Sequence, residues 1–332
     1  MSAATLPDGV EDFLSTAGWG GAKIEPLPGD ASGRRYFRLL NGTNSAILMD
    51  APPPDEDPRP FIEVGRWLVD HGMRAPLIYA ERAASGLVLL EDFGHDHMRD
   101  WLDRHPERET AVYERAVDAL VQLHARPPGP FSPYDMATYQ REAGLFVEWY
   151  CPAMKLDVDG EAYAAAWEAA LGEMLPRQRP GVTVLRDYHA ENIMLLGAGG
   201  ERGGEQGLID FQDALVGHPS YDLVSLLQDA RRDVSVELER RMLDRYQAQV
   251  EPGPEFQADY ARLGAQRNAK IVGIFARLWL RDGKARYLTM IPRVWEAMER
   301  DLADPALSPV ADWFAANIPA ELRAAHGAGI GL

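Results

Sequence analysis

Segments that favour β-structure are confined to the first ninety or so residues, and helical periodicity runs from there onward with one interruption, at 182–211. Strands followed by helices read as an α+β fold. DGVEDFLSTAG predicts a short helix closed by Gly18. KIEPLPG, RRYFRLL and SAILMDA predict strands separated by Gly/Asp/Ser and Asn-Gly turns, and APPPDEDPRP is a proline-rich loop. FIEVGRWLVDHG sets Phe61, Val64 and Leu68 on one helical face and ends at Gly72. LIYAERAASGLVLLED predicts two strands joined by an Ala-Ser-Gly turn, which completes a small mixed sheet carrying one helix. Beyond Phe93, PERETAVYERAVDALVQLHA is amphipathic, and helical spacing covers roughly 138–150, 161–175, 219–230, 235–249, 254–281 and 292–302.

The interruption carries the chemistry. VTVL, IMLL and GLID are short apolar runs, and a glycine-rich linker between the last two signals a hairpin. In an antiparallel hairpin the residue before the first strand lies beside the residue after the second. Asn192 precedes IMLL and Asp210 closes GLID, so both are expected at one open end, with Asp187 on the loop feeding it. An amide oxygen and a carboxylate there suit Mg²⁺, a hard cation that usually relies on phosphate and water for its remaining ligands. Protein kinases space a catalytic Asp and a metal-binding Asn by the same five residues and follow them with a metal-binding Asp-Phe-Gly. Here the strings are RDYHAEN and DFQ.

With these strings the chain resembles the aminoglycoside phosphotransferase/choline kinase superfamily over nearly its whole length. The resemblance implies a protein-kinase-like two-lobed fold: a small β-rich, nucleotide-binding N-lobe over 1–91 and a larger, mainly helical, catalytic and acceptor-binding C-lobe over 92–332. It implies ATP and Mg²⁺ as cofactors. Asp187 is then the base or orienting group for the acceptor hydroxyl, with Asn192 and Asp210 on magnesium around one cleft. LLEDFG resembles the hinge, with Glu91 and Phe93 beside adenine. LPGDASGRRYFRL resembles the phosphate-covering hairpin loop, with Gly29, Ser32 and Gly33 near the anion. Two positions depart from the family pattern. Leu185 stands where His is frequent, and Met49 stands where a strand ends in an ATP-gripping Lys. Arg34 or Arg35 is the expected replacement for that charge, and Glu63 the candidate for the usual Glu partner.

The acceptor is read from further wording. DASGRRYFRL, VLLEDFG, REAGLFVEWY and GLIDFQDALVGHPSYDLVSLLQDARRDVS resemble the branch of bacterial amino-sugar kinases of cell-wall recycling. That resemblance implies phosphorylation of the anomeric hydroxyl of N-acetylmuramate and N-acetylglucosamine. Glu148, Trp149, Tyr150 and His189 are candidates for the sugar pocket, and Arg186 for the transferring phosphoryl group or a substrate carboxylate. Asp222, in the first turn of HPSYDLVSLL, is expected to brace the catalytic loop through backbone N–H groups. Aminoglycoside, choline and homoserine are alternative acceptors, and the absent Lys leaves a non-catalytic nucleotide-binding module as a rival. A metal-dependent phosphohydrolase would use Asp187-Tyr188-His189 as ligands but also needs GDxxD and GNH strings, and neither occurs.

Composition narrows the partners. Asp and Glu number 51 against 34 Lys and Arg, a formal charge of −17, which disfavours nucleic acid and anionic membrane surfaces. The single cysteine, Cys151, allows no intramolecular disulfide and no zinc cluster. MSAATLPDGVEDFL lacks a signal-peptide pattern and no apolar run is long enough to span a bilayer, so a cytoplasmic enzyme with no obligate protein partner is expected.

Overall fold

A computed structural model describes residues 6–28, 33–197 and 204–329. The α+β expectation is borne out: a five-stranded antiparallel sheet is followed by a mainly helical region. The chain divides into two compact units, Met1–Arg108 with Asn192–Asp213, and Glu109–Glu191 with Ala214–Leu332. Residues 92–108 and 192–213, which a boundary at 91/92 assigns to the larger lobe, therefore belong to the first unit.

In the first unit, β1 (Lys23–Pro26), β2 (Arg35–Asn41), β3 (Asn44–Asp50), β4 (Ile78–Arg82) and β5 (Leu87–Glu91) are ordered β1-β2-β3-β5-β4. The register sets Phe37 opposite Leu48, Leu39 opposite Ala46, and Leu48 opposite Leu89. Because side chains alternate faces, these residues form one apolar layer, and Val10, Phe13 and Leu14 of the helix Val10–Thr16 cover it. Tyr36, Met49 and Val88 are cross-strand neighbours on the opposite face. The helix Arg59–Asp70 buries Phe61, Val64 and Leu68, the stripe its spacing predicts. The hairpin also forms as expected, with Ile193 opposite Leu208 and Leu196 opposite Glu205. It is tied into this unit by Leu195 N–H to Asp96 O at 2.8 Å and Leu208 N–H to Arg74 O at 2.7 Å.

The second unit is built around the helix Phe256–Asp282, most of whose residues are buried. Glu109–His124, Met136–Leu145, Gly160–Gly172, Ser220–Leu227, Val236–Val250 and Ile291–Leu302 form where periodicity predicts. Ser308–Asn317 and Ala320–Ala324 add to them. At Gly273 a Cβ would stand 2.3 Å from the Leu145 carbonyl carbon, so only glycine lets the long helix approach that backbone. The chain there runs through a π-helical turn, Phe146–Tyr150. VTV does not join the hairpin: Val182–Val184 pairs antiparallel with Leu215–Gly217. Among the described residues no helix is long and apolar enough to cross a membrane.

Candidate active site

Asp187 lies on the loop that leaves the strand Val182–Val184. Asp222, wholly buried, holds that loop from beneath: its Oδ2 accepts the Leu185 N–H at 2.7 Å and its Oδ1 the Arg186 N–H at 2.8 Å. This is the brace expected of Asp222. Two parallel amides aimed at one carboxylate require a sharp turn, and Arg186 takes φ +71°, a left-handed conformation that costs a non-glycine residue about 1–3 kcal/mol. Burial pushes the Asp222 carboxyl up to about 7, against the pull of the two amides and of Arg267. Leu185, in place of the frequent family His, is buried and apolar. Further along, Tyr188 donates its hydroxyl to Ala116 O at 2.9 Å, and Ala190 N–H reaches Asp229 Oδ2 at 3.1 Å. His189 sits 3.1 Å from Arg231 Nη1. Burial and that guanidinium lower His189 to about 4, so its ring is neutral near pH 7 and its place is in the loop's support.

The charges around Asp187 are unbalanced toward cations. Desolvation acts to raise its carboxyl, but the cations Lys270, Arg267 and Arg186 outweigh it and leave the group below the ordinary carboxylate range. Arg267 Nη2 lies 4.0 Å from Asp187 Oδ1 and also donates to Ser225 Oγ at 2.7 Å. Glu142, buried on the helix Met136–Leu145, ties the cluster together: Oε1 meets Lys270 Nζ at 3.0 Å and the Arg186 guanidinium, while Oε2 accepts from the Tyr134 hydroxyl. Burial would raise Glu142, yet Lys270 and Arg186 hold it below its usual range. Sequence reasoning missed Glu142, Arg267 and Lys270 as members of this cluster. The signal lay in RNAK, a polar run inside a long helix that is otherwise buried.

In the first unit the hairpin brings Asn192 and Asp210 together, with Nδ2 and Oδ2 3.4 Å apart. Asp210 has φ +59°. Its position is set by the next residue: Phe211 stacks on Phe61 at 4.8 Å, and a Cβ at Gly65 would stand 3.2 Å from the Phe211 ring. One amide and one carboxylate are hard oxygen donors of the kind magnesium takes with phosphate and water. Among the described residues no group of three His, Cys, Asp or Glu side chains forms a complete metal cage. The pair fits an ion that arrives with phosphates.

The two arginines weighed against Met49 part company. Arg35 opens β2 opposite Asp50, and its Nε donates to Asp50 Oδ2 at 2.8 Å on the face that carries Phe37. Met49 is fully buried on the other face, away from Arg35. Arg34 precedes the strand, and its Nη2 lies 3.5 Å from Asp210 Oδ1 and its Nε 3.8 Å from Glu56 Oε2. Its buried Nε and Nη1 lack hydrogen-bond partners among the described residues. The Gly33 N–H, expected near an anion, donates instead to Glu56 Oε1 at 2.8 Å. Glu63, the expected carboxylate partner, is exposed, and Glu56 takes that place beside Arg34. Gly29 and Ser32 lie outside the described residues.

At the hinge string, Glu91 is held by Arg74, Nη1 to Oε2 at 2.8 Å, and by the Leu77 N–H at 3.2 Å. Arg74 also covers the Phe93 ring at 4.5 Å, and a Cβ at Gly207 would reach within 2.5 Å of that ring. Both side chains therefore organise the segment. Of the aromatic string expected around the acceptor, Tyr150 is a core residue. It is fully buried, packs on Phe146 and Trp295, and donates its hydroxyl to Gly327 O at 2.8 Å. Trp149 is half-buried and Glu148 exposed on the same π-helical turn.

Residues 23–264 match APH, the phosphotransferase enzyme family. The chain is 38% identical to the N-acetylmuramate/N-acetylglucosamine kinase of Caulobacter vibrioides, over 94% of this chain and 96% of that protein. It is 36% identical to the protein of the same description from Pseudomonas aeruginosa, over 89% of each. Among solved structures it is similar to the ADP-bound aminoglycoside phosphotransferase APH(2'')-Ib, with a TM-score of 0.59 over 88% of this chain and 94% of that one. At 16% identity that likeness speaks for the fold alone.

Proposed function

The chain belongs to the phosphotransferase enzyme family, and from that premise we propose that it is a sugar kinase that transfers the terminal phosphoryl group of ATP to the anomeric hydroxyl of N-acetylmuramate and N-acetylglucosamine in peptidoglycan recycling. The observation that carries this reading is its likeness, spread over most of the chain, to two kinases described by those sugars. Such an enzyme works in the cytoplasm, where ATP is found. Asp187 orients the anomeric hydroxyl and takes its proton as the oxygen attacks the terminal phosphorus. The new O–P bond forms, the bond to the bridging oxygen breaks, and ADP leaves. An anomeric hydroxyl is more acidic than an ordinary alcohol, so a carboxylate of lowered pKa suffices, and positioning does most of the work. Asn192 and Asp210 would hold magnesium, which when bound offsets the charge of the phosphates. The segment around Glu91 and Phe93 would receive adenine.

Coupled ADP release, screened across N-acetylmuramate, N-acetylglucosamine, aminoglycosides, choline and homoserine, tests the reading. Turnover is expected with the two amino sugars, and phosphorus NMR should place the phosphate on C1. Turnover with choline or an aminoglycoside alone would overturn it.

Arg34 takes the role of the missing Lys, because a buried guanidinium beside Asp210 can pair with a phosphate whereas the Met49 thioether cannot. Arg34→Ala is expected to weaken ATP binding about 10- to 100-fold by calorimetry, the scale of a lost charged hydrogen bond. Arg34→Lys should recover part of that loss. Unchanged ATP affinity in Arg34→Ala would assign the phosphate contact elsewhere.

A further inference from the structure

On the helix Phe256–Asp282, Arg267 and Lys270 stand three residues apart and so share a face. Both charges act on Asp187. An ammonium has three donors. Lys270 uses one on Glu142 Oε1 at 3.0 Å and one on the Tyr221 hydroxyl at 3.3 Å. Arg267 is 4% exposed, and its Nη1 has no hydrogen-bond partner among the described residues. Arg267 Nη1 is thus unmet among the described residues, and the part-buried Lys270 has a third N–H to offer a ligand. A buried cationic donor without an acceptor is costly, and a fold keeps one where a ligand supplies the acceptor. Glu142 already serves Lys270, Arg186 and Tyr134.

We infer that Lys270, with Arg267 behind it, is an acceptor-side anion site that binds the carboxylate of a carboxylate-bearing amino sugar. This rests on the sugar-kinase reading. N-acetylmuramate carries a lactyl carboxylate, and N-acetylglucosamine has a hydroxyl at that position, so the site discriminates between the two acceptors. The transferring phosphate is a second anion that could use such donors. The groups proposed for the nucleotide (Arg34, Asn192, Asp210 and the hinge segment) all belong to the first compact unit. Lys270 and Arg267 belong to the second, with Asp187, the group that takes the acceptor's proton.

The test is the ratio of kcat/KM for N-acetylmuramate to that for N-acetylglucosamine. Lys270→Met is expected to lower this ratio about 10- to 100-fold, mainly through KM for N-acetylmuramate, and Lys270→Arg to restore most of it. An equal loss on both sugars would place Lys270 on the phosphoryl group or in the fold and overturn the inference. The unmodified enzyme gives an independent reading if the variant does not fold. The methyl ester of N-acetylmuramate should show a KM about tenfold or more above that of the free acid, and equal values would sink the proposal. If the unmodified enzyme turns over neither sugar, the functional reading itself fails. If it turns over both and the ratio does not move, only the carboxylate site fails.

Discussion

Asp187→Asn is expected to lower kcat by about 10²–10⁴-fold, the usual contribution of a positioned proton acceptor, while ATP affinity changes little. The substitution keeps the size and shape of the side chain. The Leu185 and Arg186 amides remain fixed by Asp222, so the loop has no reason to move. What disappears is the charge. Three cations, Lys270, Arg267 and Arg186, hold Asp187 below the ordinary carboxylate range against its desolvation. The folded protein thus keeps Asp187 ionised throughout the physiological range, and Asn cannot accept the proton. Single-turnover kinetics beside a nucleotide titration separate the two effects. Retained turnover would remove Asp187 from the chemistry.

Asp210→Ala should act on the nucleotide side. The side chain stands beside Asn192 at 3.4 Å and Arg34 at 3.5 Å, where a carboxylate and an amide suit a cation arriving with phosphates. Its removal should abolish the tightening of ATP binding by Mg²⁺. The expected loss is about 100-fold or more, above the ~10- to 100-fold seen when a group merely supporting a ligand is removed. Calorimetry with and without Mg²⁺ reads this directly. The fold should hold, because Phe211, Phe61 and Gly65 fix the segment independently of the carboxylate. Tightening by Mg²⁺ that survives in Asp210→Ala would refute the assignment.

Some of this was legible before any coordinate. The hairpin follows from two apolar runs and a glycine-rich link, and antiparallel pairing alone then brings Asn192 to Asp210. Asp222 was also readable, as an acidic residue in the first turn of a helix beside the loop strings. The choice between Arg34 and Arg35 was not. It turns on strand parity: one residue of register decides whether a side chain meets Asp50 or Asp210. Tyr150 misled for a related reason. An aromatic beside a carboxylate looks alike in a pocket wall and in a core, and only the packing of Phe146 and Trp295 around it decides.

By itself, then, the sequence determined the α+β order of elements, the family, and the meeting of Asn192 with Asp210. Each of these rests on spacing along the chain or on pairing between neighbouring segments. Only the tertiary structure decided that Glu142, Arg267 and Lys270 gather at Asp187, that Arg34 rather than Arg35 faces Asp210, and that Tyr150 is core. Those facts depend on which faces of distant elements meet, and burial and charge at a point are sums over all of them.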